Sequence, residues 1–426
     1  MAKQLLGPFC QMVTMEGLPY NGPLSNDQLD IVEGGGLLID GDRIVEVLDQ
    51  ARFQVAASGL EDQGSVIGFT PVKRHMVIFP GLVDAHTHMC YAGSRVEDYV
   101  HRLSGESYLQ IADRGGGIMS TVRSTRQATE EDLFKSLCKR ACTHMFGGVT
   151  TCEVKSGYGL DLATELKMLR VINMVNASLD TFPWLVPTCL AAHQRPHEFK
   201  TDQQYLDFLL HKLLPQVKKE GLAQRVDIYV DRGAFPPDVA EGFLFQARSL
   251  GFDLVLHADQ FTSGGAAVAA RVSAVSADHL EKSTEREFRW LREKGVAAVA
   301  LPGSTLGLGE PFAPARKMLD AGLCLAIASD WNPGSAPQGD LLTQAALLGA
   351  NQRLTMAETL AGMTVRAAKA LRLDDRGVLR KGAVADLVGF ECERFEEVLY
   401  HQGCLRPSFV MRAGKRVMRT SRSSGG

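Results

Sequence analysis

The sequence lacks three features that would assign it to a membrane, secreted or disulfide-rich class. None of its apolar stretches approaches the roughly 20 residues that a membrane-spanning helix needs. Residues 1–8 lack the apolar core of a secretory signal peptide. The nine cysteines are scattered without C-x-x-C spacing, which is typical of reduced thiols in a cytoplasmic protein and not of a disulfide framework.

Strong charge of either sign is also missing. The formal net charge is −3, and no long basic run occurs outside the C-terminal tail, so we expect no nucleic-acid partner. The hydrophobic content of 45% and charged content of 22% are ordinary for a soluble globular protein. A chain of 426 residues is too long for one simple core. We therefore expect a large domain plus a small one, no membrane, and a small-molecule substrate.

The sequence at both ends of the chain predicts short strands and turns. Residues 36–48 form two apolar runs around an Asp-Gly-Asp turn, which predicts a hairpin. Residues 408–417, near the C-terminus, show a similar hairpin pattern. We therefore predict one small β-sandwich built from residues 1–78 and 375–426, with a central domain over residues 79–374.

The central domain alternates short apolar strands with helical segments. From the fourth strand onward the strands recur about every 20–30 residues, the period of βα units, which predicts a (β/α)8 barrel of the α/β class. A doubly wound sheet is the rival fold, but it does not explain why polar residues follow so many strands. The eight predicted strands are 82–88, 149–155, 184–191, 226–231, 252–258, 274–279, 296–301 and 323–329.

The most informative stretch ends the first of these strands. His86 and His88 are two residues apart, so on a strand they project to the same face. Two neutral imidazoles side by side can bind a divalent metal such as zinc. An isolated His-x-His pair can equally close an ordinary strand. Further histidines and acids downstream favour the metal interpretation here.

Six of the eight strand ends carry a histidine or an acid, and a barrel brings its carboxyl strand ends to one rim. A catalytic metal needs three or four ligands and an open position for water. We predict that Asp330 also accepts a proton from that water, and that His279 orients the water or shares the role of base. The predicted ligand set is His86, His88, His257 and Asp330.

Three further residues carry open alternatives. The fourth strand offers no lysine to bridge two metals, so we expect one metal, although Lys155 at the end of the second strand leaves a two-metal site open. Arg95, seven residues after His88, is a candidate clamp for a substrate carboxylate, and a surface role is the alternative. Tyr158 is expected at the barrel mouth, or packed with its hydroxyl on a neighbour.

These residues resemble the amidohydrolase superfamily and, within it, the imidazolonepropionase family. The Lys-Ser-Gly-Tyr-Gly and Asp-x-Asn-Pro-Gly-Ser segments are specific to that family, whereas His-x-His marks only the superfamily. The resembling segments are 84–88 with 93–95, 115–118 with 120–122 and 125–126, 153–160, 257–260, 276–280 and 330–335.

The resemblance implies hydrolysis of 4-imidazolone-5-propanoate to N-formimidoyl-L-glutamate, a cyclic-amide opening in histidine degradation. It implies one zinc or iron ion per chain on the predicted ligand set, a catalytic His279, and a possible homodimer. The substrate contacts that it implies are Arg95, Tyr108, Tyr158, His193, Gln260, Asn332, Gly334 and Ser335.

The chain departs from the family pattern at several positions. Gln260 stands where some members carry Glu, so a mechanism that uses a carboxylate base there is closed to this chain. Asp231 ends the fourth strand where Glu is frequent, and its role stays open.

Two rival functions remain. A mononuclear heterocycle deaminase would need no carboxylate clamp at Arg95, and a non-catalytic metal-dependent scaffold would not need an intact ligand set and base.

Overall fold

The protein is described here from a computed structural model. The structure describes residues 3–61, 68–71, 75–106, 110–111, 114–178 and 181–417. Among these residues, no helix has both the length and the apolar character needed to cross a membrane. All nine cysteines lie in the described part, and each is a free thiol.

The described residues contain eighteen β-strands in three sheets. The strands are β1 (Gln4–Gly7), β2 (Gln11–Val13), β3 (Ile31–Glu33), β4 (Gly36–Asp40), β5 (Arg43–Leu48), β6 (Gly68–Pro71), β7 (Val77–Pro80), β8 (Leu82–Asp84), β9 (Val149–Lys155), β10 (Trp184–Ala192), β11 (Arg225–Val230), β12 (Asp253–Ala258), β13 (Ser276–His279), β14 (Ala297–Ala300), β15 (Leu325–Ile327), β16 (Leu387–Phe390), β17 (Phe409–Arg412) and β18 (Lys415–Arg416).

Strands β8 to β15 form a parallel barrel in which each strand pairs with the next along the chain. Backbone hydrogen bonds just beyond β8 and β15 join the first strand to the last. The His88 amide donates to the Trp331 carbonyl at 2.9 Å, and the Asp330 amide donates to the His86 carbonyl at 3.0 Å. The predicted (β/α)8 barrel is confirmed, and the segments after β8 and β15 lie side by side at its rim.

The first barrel strand is shorter than predicted. The prediction extended it to His88, whereas β8 ends at Asp84. The Asp84 carboxylate accepts a hydrogen bond from the His86 amide at 3.4 Å, which diverts that amide from the ladder. The chain nevertheless stays extended, because Thr87 forms an isolated parallel bridge with Trp331. His86 and His88 therefore still share a face, although neither lies within the strand.

Helices surround the barrel and pack apolar faces against it. Leu166, Leu169 and Ile172 recur every third residue on the fifth helix and are buried towards β10. A 3₁₀ turn at Asn26–Gln28 and a π-turn at Leu209–Leu213 complete the helical elements of the described residues. The helices are α1 (Gln50–Glu61), α2 (Val96–Leu103), α3 (Gly117–Gln127), α4 (Glu130–Phe146), α5 (Leu162–Asn176), α6 (Asp202–Phe208), α7 (Leu214–Lys219), α8 (Pro237–Ser249), α9 (Gly265–Arg271), α10 (Glu285–Lys294), α11 (Pro302–Leu308), α12 (Ala315–Asp320), α13 (Leu341–Gln352), α14 (Met356–Gly362), α15 (Val365–Ala370) and α16 (Glu396–Tyr400).

The two chain ends build a small domain from the other two sheets, as predicted. One sheet has the order β5-β4-β1-β6, and the other has the order β18-β17-β16-β7-β2-β3. The second sheet joins the ends directly, since β7 pairs antiparallel with β16. The predicted hairpin at 36–48 is β4 and β5, and Gly41 in its turn has φ +61°, a conformation that favours glycine. Leu6, Leu37, Ile78 and Leu387 belong to the core of this domain.

Candidate metal centre and active-site cavity

The four predicted metal ligands meet at the carboxyl rim of the barrel. His86 and His88 follow β8, His257 is the next-to-last residue of β12, and Asp330 follows β15. None of the four is more than 3% exposed. Residues far apart in the chain are thus brought into one buried group by the closure of the barrel.

The donor atoms of these residues face one another at metal-binding spacing. The Nε2 atom of His88 lies 3.1 Å from Nε2 of His86 and 3.2 Å from Nε2 of His257. The Oδ1 atom of Asp330 lies 3.5 Å from Nε2 of His86 and 3.4 Å from Nε2 of His88. The edges of a zinc tetrahedron with bonds of about 2.0–2.1 Å are about 3.3–3.4 Å long. The residues present therefore fit a divalent metal.

Two carboxylates behind the histidines fix which ring nitrogen faces the centre. Nδ1 of His86 lies 2.6 Å from Oδ2 of Asp278, and Nδ1 of His257 lies 3.1 Å from Oδ1 of Asp227. An imidazole that donates its Nδ1–H to a carboxylate presents the Nε2 lone pair to a metal. Asp227 and Asp278 thus orient the two ligands and increase their basicity.

Burial keeps the imidazoles in the form that binds metals. Desolvation lowers the pKa of His86 and His88 well below the usual value. Burial also lowers the pKa of His257, although the nearby Asp227 carboxylate opposes the shift. Burial raises the pKa of Asp330 to about 6. Neutral imidazoles and one carboxylate are the protonation states that metal ligation requires.

Lys155 lies deeper in the barrel, in a cluster of buried charges. Its Nζ atom is 2.6 Å from Oε2 of Glu153, 2.8 Å from Oδ2 of Asp227 and 3.7 Å from Oδ2 of Asp278. Burial alone lowers the pKa of this lysine, but the three carboxylates outweigh burial and raise it. Lys155 is therefore held as an ammonium ion in a buried ion-pair cluster.

His279 and Asp330 have unusual backbone conformations. Their φ angles are +82° and +50°, in the left-handed region that non-glycine residues rarely adopt. Such conformations cost of order 1–3 kcal/mol each and concentrate at functional sites. The His279 ring centroid lies 5.5 Å from that of His257. Burial lowers the pKa of His279, but the carboxylates of Glu281 and Asp330 outweigh burial and raise it.

A cavity of about 70 Å³ opens in front of the donor atoms and meets a larger outer cavity of about 540 Å³. The two share four wall residues, so they adjoin. The inner cavity brings together most of the predicted site. Its predicted wall residues are His88, Arg95, Tyr158, His193, His257, Gln260, His279, Asp330, Asn332 and Ser335.

Arg95 is buried in this wall and held in place by an acid. Its Nε donates to Oδ2 of Asp98 at 2.7 Å, and it is 8% exposed. The surface role considered for Arg95 is therefore wrong. Its guanidinium packs on Gly334, where a Cβ atom would lie 2.3 Å from Nη1. Gly334 thus makes room for the arginine.

The segment after Asp330 is organised by Asn332. The Asn332 side-chain oxygen accepts the amides of Gly334 and Ser335, both at 2.8 Å. Its side-chain nitrogen donates to the Asp330 carbonyl at 2.7 Å and to the Ser335 hydroxyl at 3.0 Å. Asn332 therefore shapes the loop that carries the carboxylate ligand, in addition to lining the cavity.

Three of the remaining cavity residues, His193, Tyr158 and Gln260, form an aromatic and amide wall. The His193 and His88 rings stack with centroids 5.3 Å apart, and the Tyr158 ring lies 5.4 Å from His193. Nδ1 of His193 donates to the Gly157 carbonyl at 3.0 Å, which leaves Nε2 as the acceptor. The Gln260 carboxamide oxygen accepts the Tyr229 hydroxyl at 2.7 Å. This wall offers flat surfaces and polar atoms to a planar ring.

Of the described residues considered from the sequence, four do not line the inner cavity: His86, Lys155, Asp231 and Gly334. Tyr108 lies outside the described residues. Asp231, whose role was left open, accepts the Thr262 hydroxyl at 2.6 Å and the Phe261 amide at 2.8 Å. Asp231 thus fastens a loop, and its described hydrogen bonds involve none of the proposed metal ligands.

Sequence reasoning missed several functional positions. Arg102 lines the cavity, and its Nη2 donates to the Gly334 carbonyl at 2.9 Å. It lies two helical turns after Arg95, a spacing that places both on one side of a helix. Asp227, Tyr229 and Asp231 are spaced two residues apart along the fourth strand, so their side chains share one face. That spacing was the signal that could have identified Asp227. Only Asp231, at the strand end, was considered.

Comparisons with known proteins agree with this architecture. Residues 234–414 match a model described as "Amidohydrolase family". Among solved structures, an adenosine deaminase from Xanthomonas campestris with bound zinc has a TM-score of 0.68 at 20% identity, covering 97% of this chain and 92% of that one. A triazine hydrolase variant has a TM-score of 0.67 at 17% identity, covering 98% and 95%. At these identities the likeness concerns the fold alone.

Curated relatives are much closer in sequence, and all three described here are named imidazolonepropionase. The relative from Myxococcus xanthus is 39% identical over 417 residues, covering 96% of each chain. The relative from Bdellovibrio bacteriovorus is 35% identical, covering 98% of this chain and 97% of its own. The relative from Acinetobacter baumannii is 41% identical, covering 80% and 86%. The chain therefore belongs to the imidazolonepropionase family of amidohydrolases and is a hydrolase.

Proposed function

We propose that this protein hydrolyses the cyclic amide of 4-imidazolone-5-propanoate to N-formimidoyl-L-glutamate in histidine degradation, with one zinc or iron ion per chain. One observation carries the proposal. Two arginines, Arg95 and Arg102, line the same small cavity as the buried metal-donor residues. A hydrolytic centre that faces guanidinium groups suits a substrate with a carboxylate at one end.

The propanoate tail is assigned to Arg95. Because its Nε is held by Asp98, the guanidinium is oriented before substrate binds, which reduces the entropy lost on binding. Tyr108 is proposed to add a hydrogen bond to the same carboxylate. Arg102 adds positive charge and holds the Gly334 carbonyl. Gly334 and Ser335 complete this end of the pocket.

The imidazolone ring is assigned to the aromatic and amide wall. Tyr158 and His193 provide flat surfaces, and Nε2 of His193 can accept a ring N–H. Gln260 provides a carboxamide that is oriented by Tyr229 and by the Ser304 hydroxyl at 3.2 Å. A preorganised set of donors and acceptors of this kind selects a polar heterocycle over an apolar one.

The chemistry follows from the positions of Asp330 and His279. His86, His88, His257 and Asp330 would hold the metal, which when bound supplies Lewis acidity towards water and a carbonyl oxygen. Water attacks the ring carbonyl carbon, and Asp330 accepts the proton that the water loses. Asp330 then gives this proton to the ring nitrogen as the C–N bond breaks. His279 stabilises the negative charge on the tetrahedral intermediate.

Metal removal tests the cofactor part of this proposal. The purified protein is treated with a chelator, assayed with 4-imidazolone-5-propanoate, and assayed again after addition of zinc or of ferrous iron. We expect activity to disappear and to return at one equivalent of metal per chain. Full activity in protein shown by elemental analysis to be metal-free would contradict the proposal.

Asp227→Asn tests how the ligands are oriented. The amide cannot accept the His257 Nδ1–H as strongly as the carboxylate does, so we expect metal affinity to fall about 10–100-fold. The measurement is competition with a chelator of known affinity. Asp231→Asn is the matched control, because Asp231 follows the same strand but bonds only the neighbouring loop in the described contacts. Equal affinities in the two variants would contradict the assignment.

Gly334→Ala tests the packing of the clamp. The new Cβ would overlap the Arg95 guanidinium, so the arginine must move away from its position. A displacement of about 1 Å costs about 100-fold in catalysis when it affects substrate positioning, and we expect a loss in kcat/KM of that order with the metal retained. Gly242→Ala, on an open face of α8 with nothing within 4 Å of the new methyl group, should be unchanged. An active Gly334→Ala variant would show that Arg95 need not stay where it is.

A further inference from the structure

A second group of metal-ligand side chains lies beneath the proposed metal centre. Carboxylate or imidazole atoms of His86, Glu153 and Asp278 lie within 4.8 Å of one another, and all three residues are fully buried. In the described residues this is the only such group besides the His86, His88 and His257 triad. Carboxylate oxygens with an imidazole are ligands for divalent cations such as manganese and zinc.

A positive charge already lies beside the two carboxylates of this group and next to a third, Asp227. The Lys155 ammonium lies 2.6 Å from Glu153 and 2.8 Å from Asp227, with Asp278 at 3.7 Å, and its side chain is 0% exposed. Arg225 approaches the other Glu153 oxygen at 3.4 Å, so that Glu153 is enclosed by cations. Three carboxylates converge on the buried Lys155 nitrogen. Without the ammonium group, such an arrangement would bind a metal ion.

We propose that the Lys155 ammonium occupies the position of a second metal ion and thereby restricts the barrel to a single metal. A divalent ion at this position would draw Asp227 and Asp278 towards itself. These are the carboxylates that accept the Nδ1–H groups of His257 and His86. A single charge on a lysine stem offsets part of the negative charge of the cluster and leaves both carboxylates in contact with the imidazoles. Lys155 is in this sense a positioning residue for the ligands.

Removing the ammonium in two different ways tests the proposal. Lys155→Ala deletes both the charge and the stem and leaves space for an ion among the carboxylates. Lys155→Met deletes the charge but keeps the space filled with a chain of similar length. Each protein is equilibrated with excess zinc or manganese, passed through a desalting column and analysed for metal per chain. We expect two metals in Lys155→Ala and one in both Lys155→Met and the wild type.

A purely structural ion pair predicts a different outcome. If Lys155 only stabilises the fold, both variants lose stability and both hold one metal, and this result would overturn the proposal. Two metals in Lys155→Met would overturn it as well. Glu153→Gln in the Lys155→Ala background locates the extra ion, because Glu153 contacts none of the three proposed ligand histidines in the described hydrogen bonds. We expect the count to return to one, and a count that stays at two would place the ion elsewhere.

A refolding measurement covers the case in which Lys155→Ala does not fold without help. The denatured chain is refolded with and without millimolar zinc, in parallel with Lys155→Met. We expect zinc to restore folding selectively to Lys155→Ala, since an ion that binds only the native state stabilises that state. Equal recovery of the two variants would contradict the proposal. None of these readouts depends on the substrate, so they can fail independently of the proposed activity.

Discussion

Asp330→Asn should reduce kcat by about 10²–10⁴-fold, the range that a positioned proton acceptor contributes. The amide cannot take the proton from the attacking water, and it also removes the negative charge from the proposed ligand set. In the described ion pairs, Asp330 is the only carboxylate that contacts the Nε2 atoms of His86 and His88. The measurement is kcat at saturating substrate, with metal per chain determined on the same sample.

Gln260→Ala is the comparison that separates proton transfer from binding. Gln260 lines the same cavity, but its carboxamide is neutral and engaged with Tyr229 and Ser304. We expect a smaller loss, expressed partly as a higher KM. If Gln260→Ala were as inactive as metal-loaded Asp330→Asn, the assignment of the proton to Asp330 would be wrong.

Arg95→Met should reduce kcat/KM for 4-imidazolone-5-propanoate by about 30- to 4,000-fold. This range corresponds to the roughly 2–5 kcal/mol lost when one partner of a buried charged pair is removed. The metal should be retained, because Arg95 contacts none of the four ligands in the described hydrogen bonds and ion pairs. The readout is the ratio of catalytic efficiencies for the natural substrate and for an imidazolone that lacks the carboxylate.

The wild-type ratio should be large, and in Arg95→Met it should fall steeply, because only the charged substrate loses a partner. Arg170→Met is a suitable control, since Arg170 is paired with Glu220 on the protein surface, and it should leave the ratio unchanged. An unchanged ratio in Arg95→Met would show that Arg95 is not the clamp. The heterocycle deaminase would then become the better interpretation.

The convergence of the proposed ligands was accessible from the sequence because barrel closure gathers strand ends whatever their spacing in the chain. His86, His88, His257 and Asp330 each follow or end an apolar run, so the fold alone predicted that they meet. The extent of the first strand was less accessible. His86 and His88 lie beyond β8 because Asp84 diverts a backbone amide, and an apolar run does not reveal a side chain that competes with the ladder.

The residues behind the ligands were not predictable in the same way. Asp227, Asp278 and Lys155 lie on inward faces of β11, β13 and β9, and a period of two identifies the face of a strand without identifying its partner across the barrel. That partner depends on the stagger of the strands. Arg102 was missed for a different reason. No helix was predicted for the segment around α2, so the helical spacing between Arg95 and Arg102 was not applied.

Product analysis tests the central claim most directly. Metal-loaded protein is incubated with 4-imidazolone-5-propanoate in ¹⁸O-labelled water, and the products are analysed by mass spectrometry together with an assay for ammonia. Ring-amide hydrolysis predicts N-formimidoyl-L-glutamate carrying one ¹⁸O atom in its new carboxylate, formed with no release of ammonia. Unchanged imidazolone, or stoichiometric ammonia release from this or another heterocycle, would contradict the proposed function.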